Sequence, residues 1–109
     1  FLRQYKNKEE LTIVGDGEQR RDFIYVKDVV EANIKAAEYL DKAERFEAFN
    51  IGSGTNYSIN EMADMIKKEI IYLPPRIEPK ICLADITKAK ELLNWEPKMK
   101  LEDWIKQQL

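Results

Sequence analysis

At 109 residues the chain has the length of one domain, and its 44% apolar content argues against disorder. Its 18 basic and 20 acidic side chains nearly cancel, which removes the global positive field that nucleic-acid binding calls for. It has no histidine and only Cys82, which excludes Ser/His/Asp and Cys/His nucleophiles, an internal disulfide and His-containing metal sites.

No apolar run approaches the length of a membrane span; the longest considered is Ile70-Ile71-Tyr72-Leu73. Neither a membrane nor a metal is therefore expected. Cys82 lies in an apolar stretch without a basic neighbour to activate it and reads as a packing residue. A lone cysteine fits a reducing cytoplasm. Beginning on Phe1, the chain resembles neither a signal peptide nor an initiator end, which points to a piece of a longer protein.

In chain order, residues 2–8 read as the end of a helix, and Leu11-Thr12-Ile13-Val14 as a short strand stopped by the turn Gly15-Asp16-Gly17. Residues 23–26 (FIYV) read as a second extended piece. Asp28 is placed to cap a helix whose apolar stripe is Val29, Val30, Asn33, Ile34, Ala37 and Leu40. Residues 46–51 (FEAFNI) alternate as a strand does. Ser58-Ile59-Asn60-Glu61 is a capping box, with Tyr57 and Met62 at the positions of a hydrophobic staple. The helix it opens keeps its spacing through Ile59, Met62, Ala63, Ile66 and Ile70. Another helix starts at Asp85 and stops near Asn94, with Pro97 beyond it. Leu101, Trp104, Ile105 and Leu109 stripe a last one. The pattern is mixed α/β, with no repeat or interdomain linker.

Gly52-Ser53-Gly54 lies between a strand-like segment and a helix and invites a dinucleotide reading. The third glycine of that fingerprint is replaced by Tyr57, so the stretch reads as a turn. Gly15-Asp16-Gly17 fails in the same way at Arg20.

Four stretches taken together carry a resemblance: GDGEQRRDFIYVKDV, FNIGSGTNYSINEMADMI, PPR and LADITKAKELLNWEP. In order and spacing they resemble the C-terminal part of the NAD-dependent nucleotide-sugar epimerase/dehydratase family of extended short-chain dehydrogenases, most closely its UDP-glucose 4-epimerase branch. The resemblance implies an α/β fold, the C-terminal substrate-binding part of an extended Rossmann-type enzyme built of mixed helices and short strands. Residues 1–109 would form one nucleotide-sugar-binding segment, with NAD bound by an N-terminal part outside the chain. It also implies that Arg21, of the Arg-Asp-Phe element, contacts the ligand's diphosphate and that Arg76 reaches the same group. Glu78 would take the ribose hydroxyls, and the backbone of residues 11–14 would hold the base. Two guanidinium forks suit several phosphate oxygens. Arg20 falls at a variable, solvated position.

Some positions depart from the family. No glycine separates Arg76 from Glu78, and the connection from Lys68 to Pro74 is short where the family inserts a turn and a strand. Asn94 stands in place of a glycine. Each site residue also has a plainer reading: Arg21 pairing with Asp16 or Asp22 at the surface, and Arg76 and Glu78 as solvated loop residues. Trp95 and Trp104 read as packing residues.

The resemblance further implies catalysis by a Tyr-x-x-x-Lys pair, with transient oxidation of the sugar at C4 and its re-reduction. None of the tyrosines, at 5, 25, 39, 57 and 72, has a lysine four residues on, so no catalytic residue is expected in the chain. The expected partners are a nucleotide-diphosphate sugar and either a second copy or the missing N-terminal half. A dehydratase or decarboxylase of the same family, and a non-catalytic binding module, remain as alternative readings.

Overall fold

The computed structural model describes residues 1–41, 46–66 and 68–109. Helix α1 (Leu2–Lys6) leads into β1 (Leu11–Val14), which is followed by β2 (Arg20–Arg21) and the long α2 (Val26–Leu40). Then come β3 (Tyr57–Ser58), α3 (Ile59–Ile66), β4 (Ile70–Leu73), α4 (Thr87–Leu93) and α5 (Leu101–Gln108). Strand β1 pairs in parallel with β4, Leu11 opposite Ile70 through Val14 opposite Leu73. Strand β2 pairs antiparallel with β3, and Arg20 also bridges in parallel to Ile81.

Two apolar clusters hold these pieces. Leu11, Ile13, Ala63, Ile66 and Ile105 bring β1, α3 and α5 together, with Met62 and Trp104 packed against them. Ala32, Ile86, Ala89, Leu93 and Trp95 join α2 to α4. Trp95 is 1% exposed and its indole N–H donates to the Asp28 carbonyl at 2.9 Å, so its polar tip is satisfied inside the core. The molecule is a slab of 52 × 31 × 16 Å with a radius of gyration of 16.9 Å. A compact chain of this length would have about 13 Å.

Local signals are realised closely. The capping box is reciprocal: the Ser58 N–H donates to Glu61 Oε2 at 2.7 Å, and the Glu61 N–H donates to Ser58 Oγ at 3.0 Å. Gly15 and Gly17 take φ of 79° and 76° in the turn after β1, and Asn94 ends α4 in the left-handed conformation at φ 49°, ψ 43°. Met62 packs into the core, whereas the Tyr57 hydroxyl reaches α5 and donates to Glu102.

Several expectations are corrected. Residues 23–25 join no ladder, and Val26 already opens α2, because the Tyr25 carbonyl accepts from the N–H groups of Asp28 and Val29. Tyr25 therefore occupies the N-cap. Asp28 lies inside the first turn, 4% exposed, and its carboxylate accepts from the backbone N–H groups of Lys98 and Met99. The stripe read on α2 forms but is left uncovered: Val30, Asn33, Ile34, Ala37 and Leu40 are exposed and Val29 is half-buried, while the helix packs through Ala32, Ala36 and Tyr39. Ile70 does not continue α3 but begins β4, since its segment satisfies the ladder groups of β1. Residues 46–51 alternate in exposure as a strand would, yet form no ladder among the described residues. The helix expected from Asp85 begins at Thr87, whose N–H donates to Asp85 Oδ1.

Candidate functional site

The short β2 strand gathers the site. Its flanks are Tyr57–Ser58 on one side and the segment through Ile81 on the other, where the Arg20 N–H donates to the Lys80 carbonyl and the Cys82 N–H donates to that of Arg20. This pairing carries Glu78 to Arg21 across 57 positions of sequence: Arg21 Nη2 donates to Glu78 Oε2 at 3.0 Å. Arg21 Nη1 donates to the Arg20 carbonyl at 2.8 Å. Arg76 Nη2 lies 3.9 Å from the same Glu78 oxygen, an ion-pair distance rather than a hydrogen bond. The three residues read from the sequence thus meet in space, two guanidinium groups around one carboxylate. Arg21 and Glu78 are largely shielded, at 22% and 21% side-chain exposure, whereas Arg76 is 71% exposed.

Beside them an open cleft of about 990 Å³ is lined by residues that include Val14, Gly15, Gln19, Tyr72, Arg76 and Glu78. Arg20, Arg76 and Lys80 line it together with Asp16, Glu18 and Glu78, so basic and acidic side chains balance there, and Arg21 adjoins it through its pair with Glu78. The two guanidinium groups that share the Glu78 carboxylate have the fork geometry to meet a ligand with several anionic oxygens in its place. Arg21 pairs with neither Asp16 nor Asp22, the plainer partners available from sequence.

Arg20 departs from the solvated role expected of it. Its Nε and Nη2 donate to the side-chain and backbone oxygens of Asn56 at 2.9 and 3.0 Å, and Nη2 lies 3.1 Å from Glu61 Oε2. Glu61 thus serves the capping box and Arg20 together. The Ser58 N–H and the Arg20 guanidinium hold its carboxyl below the ordinary carboxylate range. The Glu102 carboxylate, accepting the Tyr57 hydroxyl at 2.6 Å, pushes that phenol up to about 12.

Two organising residues escaped sequence reasoning. Asp22 Oδ1 accepts from the N–H and hydroxyl of Ser53 at 2.7 and 2.6 Å, while Oδ2 accepts from the N–H groups of Gly54 and Ala84 at 3.2 Å each. Gln19 Nε2 donates to the Val14 carbonyl at 2.9 Å and to Glu78 Oε1 at 3.1 Å. Their partners lie up to 62 positions away, beyond any local pattern.

The Asp22 contacts also decide whether Gly52-Ser53-Gly54 fits the diphosphate of NAD. It does not. The amides of Ser53 and Gly54 already donate to a carboxylate, which would meet an incoming phosphate with like charge. A Cβ on Gly52 would stand 2.5 Å from Ala84 Cβ and 2.7 Å from Asp22 Oδ2, so this glycine serves close packing.

The model of the NAD dependent epimerase/dehydratase family matches residues 1–52. The chain is similar to UDP-glucuronic acid decarboxylase 2 of Arabidopsis thaliana, at 39% identity over 96% of this chain and 24% of that protein. It is 41% identical to a putative UDP-glucose 4-epimerase of Methanocaldococcus jannaschii, over 97% of this chain and 35% of the relative. In structure it is similar to the UDP-glucose 4-epimerase of Thermotoga maritima solved with UDP-glucose, with a TM-score of 0.80 at 40% identity, covering 94% of this chain and 34% of that one. The chain thus spans about a quarter to a third of the length of these relatives. Among the described residues no helix is long and apolar enough to cross a membrane. With its motifs, its fold and its relatives in agreement, this chain belongs to the NAD dependent epimerase/dehydratase family.

Proposed function

We propose that this chain is the nucleotide-sugar-binding segment of an NAD-dependent sugar epimerase of the UDP-glucose 4-epimerase kind. The observation that carries the reading is the convergence of Arg21 and Arg76 on Glu78 at the wall of an open cleft. In this reading the two guanidinium groups take the diphosphate and Glu78 accepts from the ribose hydroxyls. The end of β1 lies against the base. The task of the chain is to bind and orient; the Tyr-x-x-x-Lys pair is not among its residues.

A second reading, UDP-glucuronate decarboxylation, is favoured by the 39% identity to the plant decarboxylase, close to the 41% shared with the putative epimerase. Incubating the intact protein separately with UDP-glucose and UDP-glucuronate distinguishes the two. Formation of UDP-galactose supports the first, and release of carbon dioxide from UDP-glucuronate supports the second. UDP binding without turnover of either sugar points to a binding module. Calorimetric titration of this chain with UDP and with NAD tests the segment itself: UDP is expected to bind in preference, and equal binding of the two, or NAD alone, overturns the assignment.

A further inference from the structure

Glu78 is held from two sides by donors of different character. Its Oε2 faces the guanidinium groups of Arg21 and Arg76 at 3.0 and 3.9 Å, whereas its Oε1 accepts from the neutral amide of Gln19 at 3.1 Å. The same Gln19 nitrogen donates to the Val14 carbonyl at 2.9 Å. A carbonyl and a carboxylate only accept, so the chemistry of the partners fixes which end of the amide is the nitrogen. Gln19 therefore ties Glu78 to the backbone at the end of β1.

This has a consequence for an anionic ligand. Phosphate oxygens compete with Glu78 Oε2 for the two arginines, since both offer negative charge to the same forks. They do not compete for the Gln19 tether in the same way, because its second contact is a backbone carbonyl. We propose that Gln19 is a positioning residue of the site, keeping Glu78 in register with β1 while Arg21 and Arg76 exchange the carboxylate for a diphosphate. The inference rests on the diphosphate reading given above. It goes further in separating two contributions: the arginines act on the diphosphate, and Gln19 acts through Glu78 on the nucleoside half alone.

The test uses the intact protein, with UDP and inorganic pyrophosphate as probes. Gln19→Met keeps the length and bulk of the side chain and removes both donors. UDP affinity is expected to fall about tenfold, the effect of roughly 1.4 kcal/mol for a bond to a charged group. Pyrophosphate affinity should stay within about twofold, since no charge has changed. In a Glu78→Ala background the same substitution should cost nothing further, as two residues acting through one contact are not additive.

A merely structural role would leave UDP binding of Gln19→Met unchanged, or weaken both ligands alike. Either result overturns the assignment, as does an undiminished loss in the Glu78→Ala background. A wild-type protein that binds neither UDP nor pyrophosphate overturns the diphosphate reading itself, and this assignment with it.

Discussion

Arg20 and Arg21 stand side by side on β2 and engage different carboxylates. Arg21 Nη2 lies 3.0 Å from Glu78 at the cleft, and Arg20 Nη2 lies 3.1 Å from Glu61 at the start of α3. Arg20 lines the cleft but its guanidinium is held by Asn56 and the capping-box carboxylate, whereas Arg21 shares its carboxylate with Arg76.

The division predicts different consequences for the two alanine variants. In the intact protein, Arg21→Ala should weaken nucleotide-sugar binding by about 1.5–3 kcal/mol, roughly ten- to a hundredfold. Arg20→Ala should change the dissociation constant by less than about threefold and instead lower stability by about 1 kcal/mol, through its lost bonds to Asn56. Calorimetry paired with urea unfolding separates the effects, and equal losses of affinity would show that the arginines have been assigned wrongly. Added salt should shrink the Arg21 effect only in part, because its ion pair is shielded.

The capping box makes a prediction about acid. Ser58→Ala should destabilise the chain by about 1 kcal/mol at neutral pH. Glu61 is held below its ordinary value of 4.5, so its charged form contributes stability above that value. The contribution is lost as pH falls through the lowered folded value. Urea midpoints of wild type and Glu61→Gln should therefore converge in acid; a gap that stays constant down to full protonation would contradict the assignment.

Alkaline titration reads the contact between β3 and α5. The Tyr57 phenol, pushed up to about 12, should ionise after an ordinary tyrosine near 10. Its raised value means that the stabilisation is present below pH 10 and disappears as pH rises through about 12. Ultraviolet difference spectra should lose this late phase in Tyr57→Phe. That variant should also unfold about 1.5 kcal/mol more easily at neutral pH, through the lost bond to Glu102.

Gly52→Ala tests the close approach beneath the turn. The added methyl would meet Ala84 and the Asp22 carboxylate, so a loss of about 1–3 kcal/mol is expected. Gly15→Ala, by comparison, meets only Pro75 at 3.6 Å, and its cost should come from its φ of +79°.

The outward stripe on α2 predicts association. Val26, Val30, Ile34 and Leu40 lie exposed along one helix of a slab 16 Å thick, and contiguous apolar surface of this kind usually marks an interface. The isolated chain should therefore self-associate, or attach tightly to a second chain that covers the stripe. Sedimentation over a range of concentrations should show the association, and Ile34→Asp should reduce it. A cooperative monomer independent of concentration would show that the segment closes its own core.

What the sequence by itself determined lies within a few residues of each signal. Ser58 and Glu61 satisfy one another's amides three positions apart. Gly15 and Gly17 supply the positive φ of their turn, and Asn94 supplies the left-handed stop of α4. Arg21, Arg76 and Glu78 could be picked out as candidates because a family resemblance, rather than periodicity, linked residues so far apart. Their meeting was decided by tertiary structure, since it depends on the segment through Ile81 running beside β2.

The same holds for every misread element. Ile70 fits a helical period as well as a strand, and the choice fell to β1, whose backbone groups require a partner. The stripe of α2 marks an apolar face, but amphipathicity carries no address for the surface that covers it; α4 packs against the Ala32 side instead. Asp28 has the chemistry of a cap, yet its carboxylate serves amides 70 and 71 positions later. Local hydrogen bonds close within one turn and are legible in the chain. Ladders, buried carboxylates and helix faces are settled only when distant segments arrive, because their partners do not exist until then.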